Sequence, residues 1–203
     1  AALTASLSVT IGTLAALALV RFKKFRGRLL FSGLITAPLV MPEVIIGLSF
    51  LLLFIGLEAL TSWPQQLGFS TITIAHVTLS LAYVVIIIRS KLQSFDRSLE
   101  EAALDLGAKP HTVFFKITFP FLLPAIFASW LLAFTLSLDD LIVASFVTGP
   151  GTTTLPMIIY GSIRTGVSPE INALATLIVL FIFVCVFTTA FVLNRKSNKE
   201  DSF

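Results

Sequence analysis

Apolar residues gather in five long blocks, near 2–20, 30–56, 70–88, 119–147 and 171–193, and polar residues collect between them. About 20 residues at 1.5 Å rise cross a hydrocarbon core of about 30 Å. Each block therefore predicts a membrane-spanning helix. The second and fourth blocks are longer than a span needs, which predicts tilt, a break or an overrun. Both carry breakers. Pro38 and Pro42 lie in the second; Pro120, Pro124 and the pair Asp139-Asp140 lie in the fourth. The expected fold class is all-α, a polytopic transmembrane helical bundle.

Composition agrees with the pattern. Of 203 residues 56 % are hydrophobic, 19 are Phe and only 12 % are charged, against about 25 % charged in a soluble domain. Mean hydropathy is +0.98. That leaves too little polar surface for a soluble globular enzyme, and it excludes a disordered chain. The single cysteine, Cys185, excludes a disulfide scaffold.

The net charge of +3 is not a nucleic-acid face, because the basic residues mark topology. Arg21, Lys23, Lys24, Arg26 and Arg28 follow the first block. Arg89, Lys91, Arg97, Lys109 and Lys116 lie between the third and fourth, and Arg195, Lys196 and Lys199 lie in the tail. Only Arg164 falls elsewhere. By the positive-inside rule the three basic segments are cytoplasmic. Five spans with a cytoplasmic C-terminus put the N-terminus outside. The chain starts without Met, inside an apolar block that a basic stop follows, the reverse of a signal peptide. We expect at least one further span before it. The division expected is a transmembrane domain over 1–193, including a cytoplasmic loop at 90–118, and a polar tail over 194–203. GPGTTTLP reads as an outer loop or a short re-entrant piece.

The cytoplasmic loop has its own periodicity. In RSLEEAALDLGAKPHTVFFKITFP, Ser98 with Glu101 predicts a capping box. Leu99, Ala102, Ala103 and Leu106 then share one helical face, and Gly107 ends the helix as a residue able to take positive φ. Lys109-Pro110 starts a second helical piece that leads into Pro120 and the fourth block.

These residues resemble the EAA loop of ABC-transporter permease subunits, which serve importers that use an external binding protein. The family pattern is E-A-A, three residues, Gly, nine residues, Ile-x-Leu-Pro. Here it reads Glu101-Ala102-Ala103, Gly107, Ile117-Thr118-Phe119-Pro120, with Phe119 in place of Leu. The stretches 36–49, 132–156 and 168–177 look like the polyamine branch of that family, its putrescine and spermidine/putrescine members.

The resemblance implies a type I importer permease that moves a polyamine, putrescine first, into the cytoplasm across a bacterial inner membrane. Spermidine or another cation stands as the alternative, and a secondary transporter as a more distant one. It implies that Glu101, Ala102, Ala103, Gly107, Ile117 and Pro120 couple the spans to a cytoplasmic ATPase dimer. The other implied partners are a sister permease subunit, a periplasmic polyamine-binding protein and the lipid bilayer. The chain has no GxxxxGK[ST] run, so ATP and Mg are expected on the partner, with no cofactor or metal here. There is no HExxH or GxSxG, and no catalytic residues are expected.

Four acids remain outside the loop and tail with no evident solvation: Glu43, Asp139, Asp140 and Glu170. A carboxylate at bilayer depth costs about 2.5–3.5 kcal/mol on insertion scales, so it should face a cavity or a partner. Adjacent residues on a helix point about 100° apart, so Asp139 and Asp140 cannot face one spot. One is expected to line a pathway while the other caps a broken helix or meets a neighbouring subunit. Glu43 after Pro42 suits a helix N-terminus or the pathway, and Glu170 suits a helix start. Tyr83, Trp130 and Tyr160 offer cation–π faces for an ammonium group, while Trp63 suits the outer interface. His76 reads as a hydrogen-bonded packing residue and His111 as solvated.

Overall fold

The computed structural model describes residues 1–22 and 24–165, and beyond them 169, 172, 173, 176, 177, 180 and 183. Two units divide the chain, Ala1–Met157 and Ile158–Phe203. Among the described residues every regular element is helical. Four helices among the described residues are long and apolar enough to cross a membrane. They are α1 (Ala2–Arg21), α3 (Glu43–Thr61), α4 (Phe69–Gln93) and the continuous run Pro110–Asp139. In that run α6 (Pro110–Val113) passes through a π-helical turn (Phe114–Thr118) into α7 (Phe119–Asp139). The expected span at 171–193 lies largely outside the described residues.

The long second block does break, and this shifts its span. α2 (Arg28–Thr36) and a 3₁₀ turn (Ala37–Leu39) end before Pro42, which is extended at φ −60° and ψ 134° and caps α3. The spanning helix is therefore 43–61 rather than 30–56. Proline lacks a donor and biases the residue before it away from the α region, so the chain restarts with Pro42 just outside the helix. The fourth block breaks at Asp140, not at its prolines. Pro120 lies just past the π-helical turn, where the bonding already departs from the α ladder, and α7 continues through Pro124. At Asp140 the backbone turns extended, ψ 123°, and α8 (Ile142–Val147) follows.

α1, α4 and α7 make the main core. Ala5, Ala16, Val84, Val85, Ile88, Leu122 and Ala133 are buried there. Small residues let the backbones approach, which is how helices associate where lipid is as apolar as leucine. α1 and α4 run the same way. Ser8 donates to the carbonyl of Val77, and Arg97, just past α4, donates to the carbonyl of Val20. α7 runs back against both, with Phe121 on Phe95 at one end and Trp130 on Ser6 further along. A second cluster joins α3, α8 and α4 through Ile46, Phe54, Ala75, Val143 and Val147. The Thr71 hydroxyl donates to the carbonyl of Val147 at 2.7 Å, which ties the end of α8 to α4. α9 (Leu155–Thr165) reaches into the second unit. There the Arg164 guanidinium lies 5.3 Å from the Tyr160 ring centroid.

Candidate functional site

The break at Asp140 shapes a cavity of about 390 Å³ between α3, α4 and the α7–α8 corner. That volume lies within the range of small-molecule sites. Glu43, His76, Tyr83, Ser137, Asp139 and Asp140 all line it. Glu43 opens the first turn of α3 and is exposed. Its charge suits the positive end of that helix while its side chain borders the cavity. Tyr83, 40 % exposed, adds an aromatic face from α4.

The two adjacent aspartates have different surroundings. Asp140 accepts from the N–H of Val143 at 3.3 Å and of Ala144 at 2.7 Å, which satisfies the first donors of α8. Its Oδ2 also lies 3.0 Å from Nε2 of buried His76, a close polar approach rather than an aligned hydrogen bond. The other ring nitrogen of His76, Nδ1, pairs with the Ser137 hydroxyl at 2.8 Å. Asp139 is the last residue of α7 and is exposed.

Four of the expected pathway residues thus meet at one cavity: Glu43, Tyr83, Asp139 and Asp140. Trp130 does not line it. Its indole N–H donates to Ser6 at 3.1 Å, and its ring stacks on Phe134. Tyr160 belongs to the second unit, and Glu170 lies outside the described residues. Two residues were missed. His76 does pack and hydrogen-bond, but its second nitrogen meets Asp140; Ser137 orients it. The available signal was that a buried carboxylate needs a partner, and His76 is the one ionisable cation-former inside the third block.

At the other end of the bundle lies the loop segment. α5 (Ser98–Asp105) has no side-chain cap from Ser98. Ser98 is the first helical residue, and Asp96 Oδ1 accepts from its N–H at 2.9 Å. The expected capping box is replaced by this local Asx contact, because the helix starts one residue earlier. The end is as expected. Gly107 takes φ +84°. Ala108 donates to the carbonyl of Ala103 and Gly107 to that of Leu104, which makes a Schellman motif.

The faces of α5 are inverted relative to a soluble surface helix. Leu99, Ala102 and Leu106 are exposed, with Leu106 at 89 %, and Ala103 is half-buried. Glu100 is turned inward and Glu101 outward. Ile117 lies in the π turn and Pro120 at the start of α7, so the expected coupling residues flank one corner.

A bundle of apolar helices with an acid-lined cavity and a short loop helix that exposes apolar residues fits a membrane transport subunit. The chain belongs to the family described as binding-protein-dependent transport system inner membrane component, whose model matches residues 8–199. It is 56 % identical to the putrescine transport system permease protein PotI of Escherichia coli, over 98 % of this chain and 71 % of that protein. It is 40 % identical to the spermidine/putrescine transport system permease protein PotC of the same organism, over 97 % and 72 %. A PotC homolog of Mycoplasma pneumoniae is 35 % identical over 91 % and 63 %. The chain is thus a multi-pass permease component of an inner membrane.

Proposed function

We propose that this permease subunit imports polyamines, putrescine first, and that Glu43 and Asp139 receive the cation in the cavity beside Tyr83. The observation that carries the reading is the convergence of two uncommitted carboxylates, from α3 and α7, on one cavity. The third carboxylate, Asp140, is engaged by α8 and His76. A diamine carries a positive charge at each end and offsets two carboxylates that would otherwise be costly at this depth. Tyr83 adds a cation–π face. The two Escherichia coli relatives carry putrescine and spermidine/putrescine in their names, which supports the same substrate class.

The drive comes from outside the chain. The apolar face of α5, with Leu99 and Leu106, docks on a cytoplasmic ATPase that holds ATP and Mg²⁺; this chain does no covalent chemistry. The basic residues Arg21, Arg28, Lys91 and Arg97 lie at the α5 end, which supports a cytoplasmic orientation for that end; the tail, with Arg195, Lys196 and Lys199, takes the same side by the same rule. A sister permease completes the pathway and a periplasmic binding protein delivers the polyamine.

The test is uptake of labelled putrescine into vesicles that hold the full-length subunit with its sister permease, ATPase and binding protein. Uptake should require internal ATP. Asp139→Asn and Glu43→Gln should each lower uptake about tenfold at low substrate while basal ATP hydrolysis persists. Normal uptake in both variants would overturn the cavity assignment. Uptake without ATP would overturn the ABC drive, and uptake of spermidine alone would reassign the substrate.

A further inference from the structure

We propose that Arg21, Glu100 and Thr118 form a latch that makes α5 move as one body with α1 and α7, so that displacement of the coupling helix reaches the spans through this cluster. The proposal rests on the coupling role given to α5 above. Glu100 is only 8 % exposed, though it sits on a short helix whose other acids are in solvent. Arg21, the last residue of α1, donates from both terminal nitrogens to the two carboxylate oxygens of Glu100. The Thr118 hydroxyl, one residue before α7, donates to the same carboxylate. Three segments far apart in sequence are therefore held by one side chain.

Packing alone does not fix α5. Beside the latch lies a cavity of about 330 Å³ bordered by Leu17, Arg21, Glu100, Leu104, Pro110 and Phe114. Leucine and phenylalanine walls around open space slide easily. A bidentate guanidinium–carboxylate pair fixes distance and orientation together, because two parallel N–H···O bonds resist rotation. Arg97 adds a second tie at the base of α5 through the carbonyl of Val20, at 3.0 Å. The two neighbouring glutamates thus divide the work. Glu101 faces outward toward a docking partner, and Glu100 faces inward and holds.

The test uses the complete reconstituted transporter and reads polyamine transported per ATP hydrolysed. Glu100→Gln and Arg21→Gln should keep basal ATP hydrolysis while the ratio falls about tenfold in each. The double variant should fall no further than the singles, since both remove one unit. The charge-exchanged pair Arg21→Glu with Glu100→Arg should recover about half the ratio, because the ion pair is remade. Thr118→Val removes one hydroxyl at nearly constant shape and should lower the ratio about threefold; it answers the question if the charge variants do not assemble. A residue with a merely structural role lowers the amount of assembled transporter and leaves the ratio unchanged, and that result overturns the latch. Additive losses in the double variant overturn it too. A wild-type assembly whose ATP hydrolysis ignores the loaded binding protein would overturn the coupling reading itself, and the latch with it. A wild type that couples beside variants that couple equally well overturns the latch alone.

Discussion

Replacing Asp140 by asparagine should destabilise the protein, and the same change at Asp139 should not. Asp140 accepts from two N–H groups at the start of α8 and faces His76 at 3.0 Å. Asparagine ranks with aspartate as a helix cap, so the capping of α8 is largely kept. Asparagine keeps one acceptor oxygen but loses the charge opposite a side chain that is only 3 % exposed. Disrupting a buried polar pair carries a cost of its own. The loss is therefore about 1–3 kcal/mol, which for a chain of this size lowers the thermal midpoint by about 3–9 °C. Asp139 is exposed and Asp139→Asn should leave the midpoint within about 2 °C, as expected of a surface substitution. The assay is unfolding of the detergent-purified subunit at one fixed heating rate. Uptake is measured on the same preparations. Equal midpoints for both variants, or an early transition in Asp139→Asn alone, would refute the division of labour between the two acids.

Three more outcomes are expected. Gly149→Ala should be severe, because a β-carbon there would meet the carbonyl oxygen of Leu67 at 2.0 Å, and backbone cannot swing aside; a loss of about 3 kcal/mol or failure to accumulate is the expected reading on a stability or expression assay. Gly107→Ala should cost about 1 kcal/mol from its φ of +84° and should weaken ATPase association in a pull-down more than it shifts the thermal midpoint. The hydrogen bonds from Arg21 hold the Glu100 carboxyl below the usual range against the opposing effect of burial, and Thr118 adds to them. A depressed folded pKa stabilises above the unfolded value of about 4.3 and that stabilisation is lost as pH falls through the folded value. The thermal midpoint should therefore drop more steeply below about pH 4.5 in the wild type than in Glu100→Gln.

The blocks of apolar sequence located α1, α4 and α7 closely, because nothing inside them competes with the helix. The edges went astray where local chemistry outweighs hydropathy. Pro42 and the Asp139-Asp140 pair were both named as breakers, but which of the candidates in each block would act, and so where α3 starts and α7 ends, was not legible. Gly107 was legible because only a few residue types tolerate positive φ, whereas Ser98 was misread by one position, with Asp96 supplying the contact. At the cavity, the acids were legible from their cost in an apolar run. Their division was not, since it depends on which carboxylate the turn into α8 captures. Trp130 was drawn to the site by its chemistry and away from it by Ser6 and Phe134 on neighbouring helices, a choice that only packing makes. The inward turn of Glu100 had no sequence signal, because its partners lie 79 and 18 residues away.

The uninterrupted helix that ends at Asp139 acts as a lever arm. From Phe119 to Asp139 is 21 residues, all helical, or about 31 Å at 1.5 Å per residue. A tilt of about 5° at the base would carry the far end through about 2.7 Å, close to the length of one hydrogen bond. Motion at the coupling corner too small to change helix packing is then enough to make or break a polar contact at the cavity. Gain of that kind comes from length and stiffness alone, and no hinge along the arm is needed to deliver it.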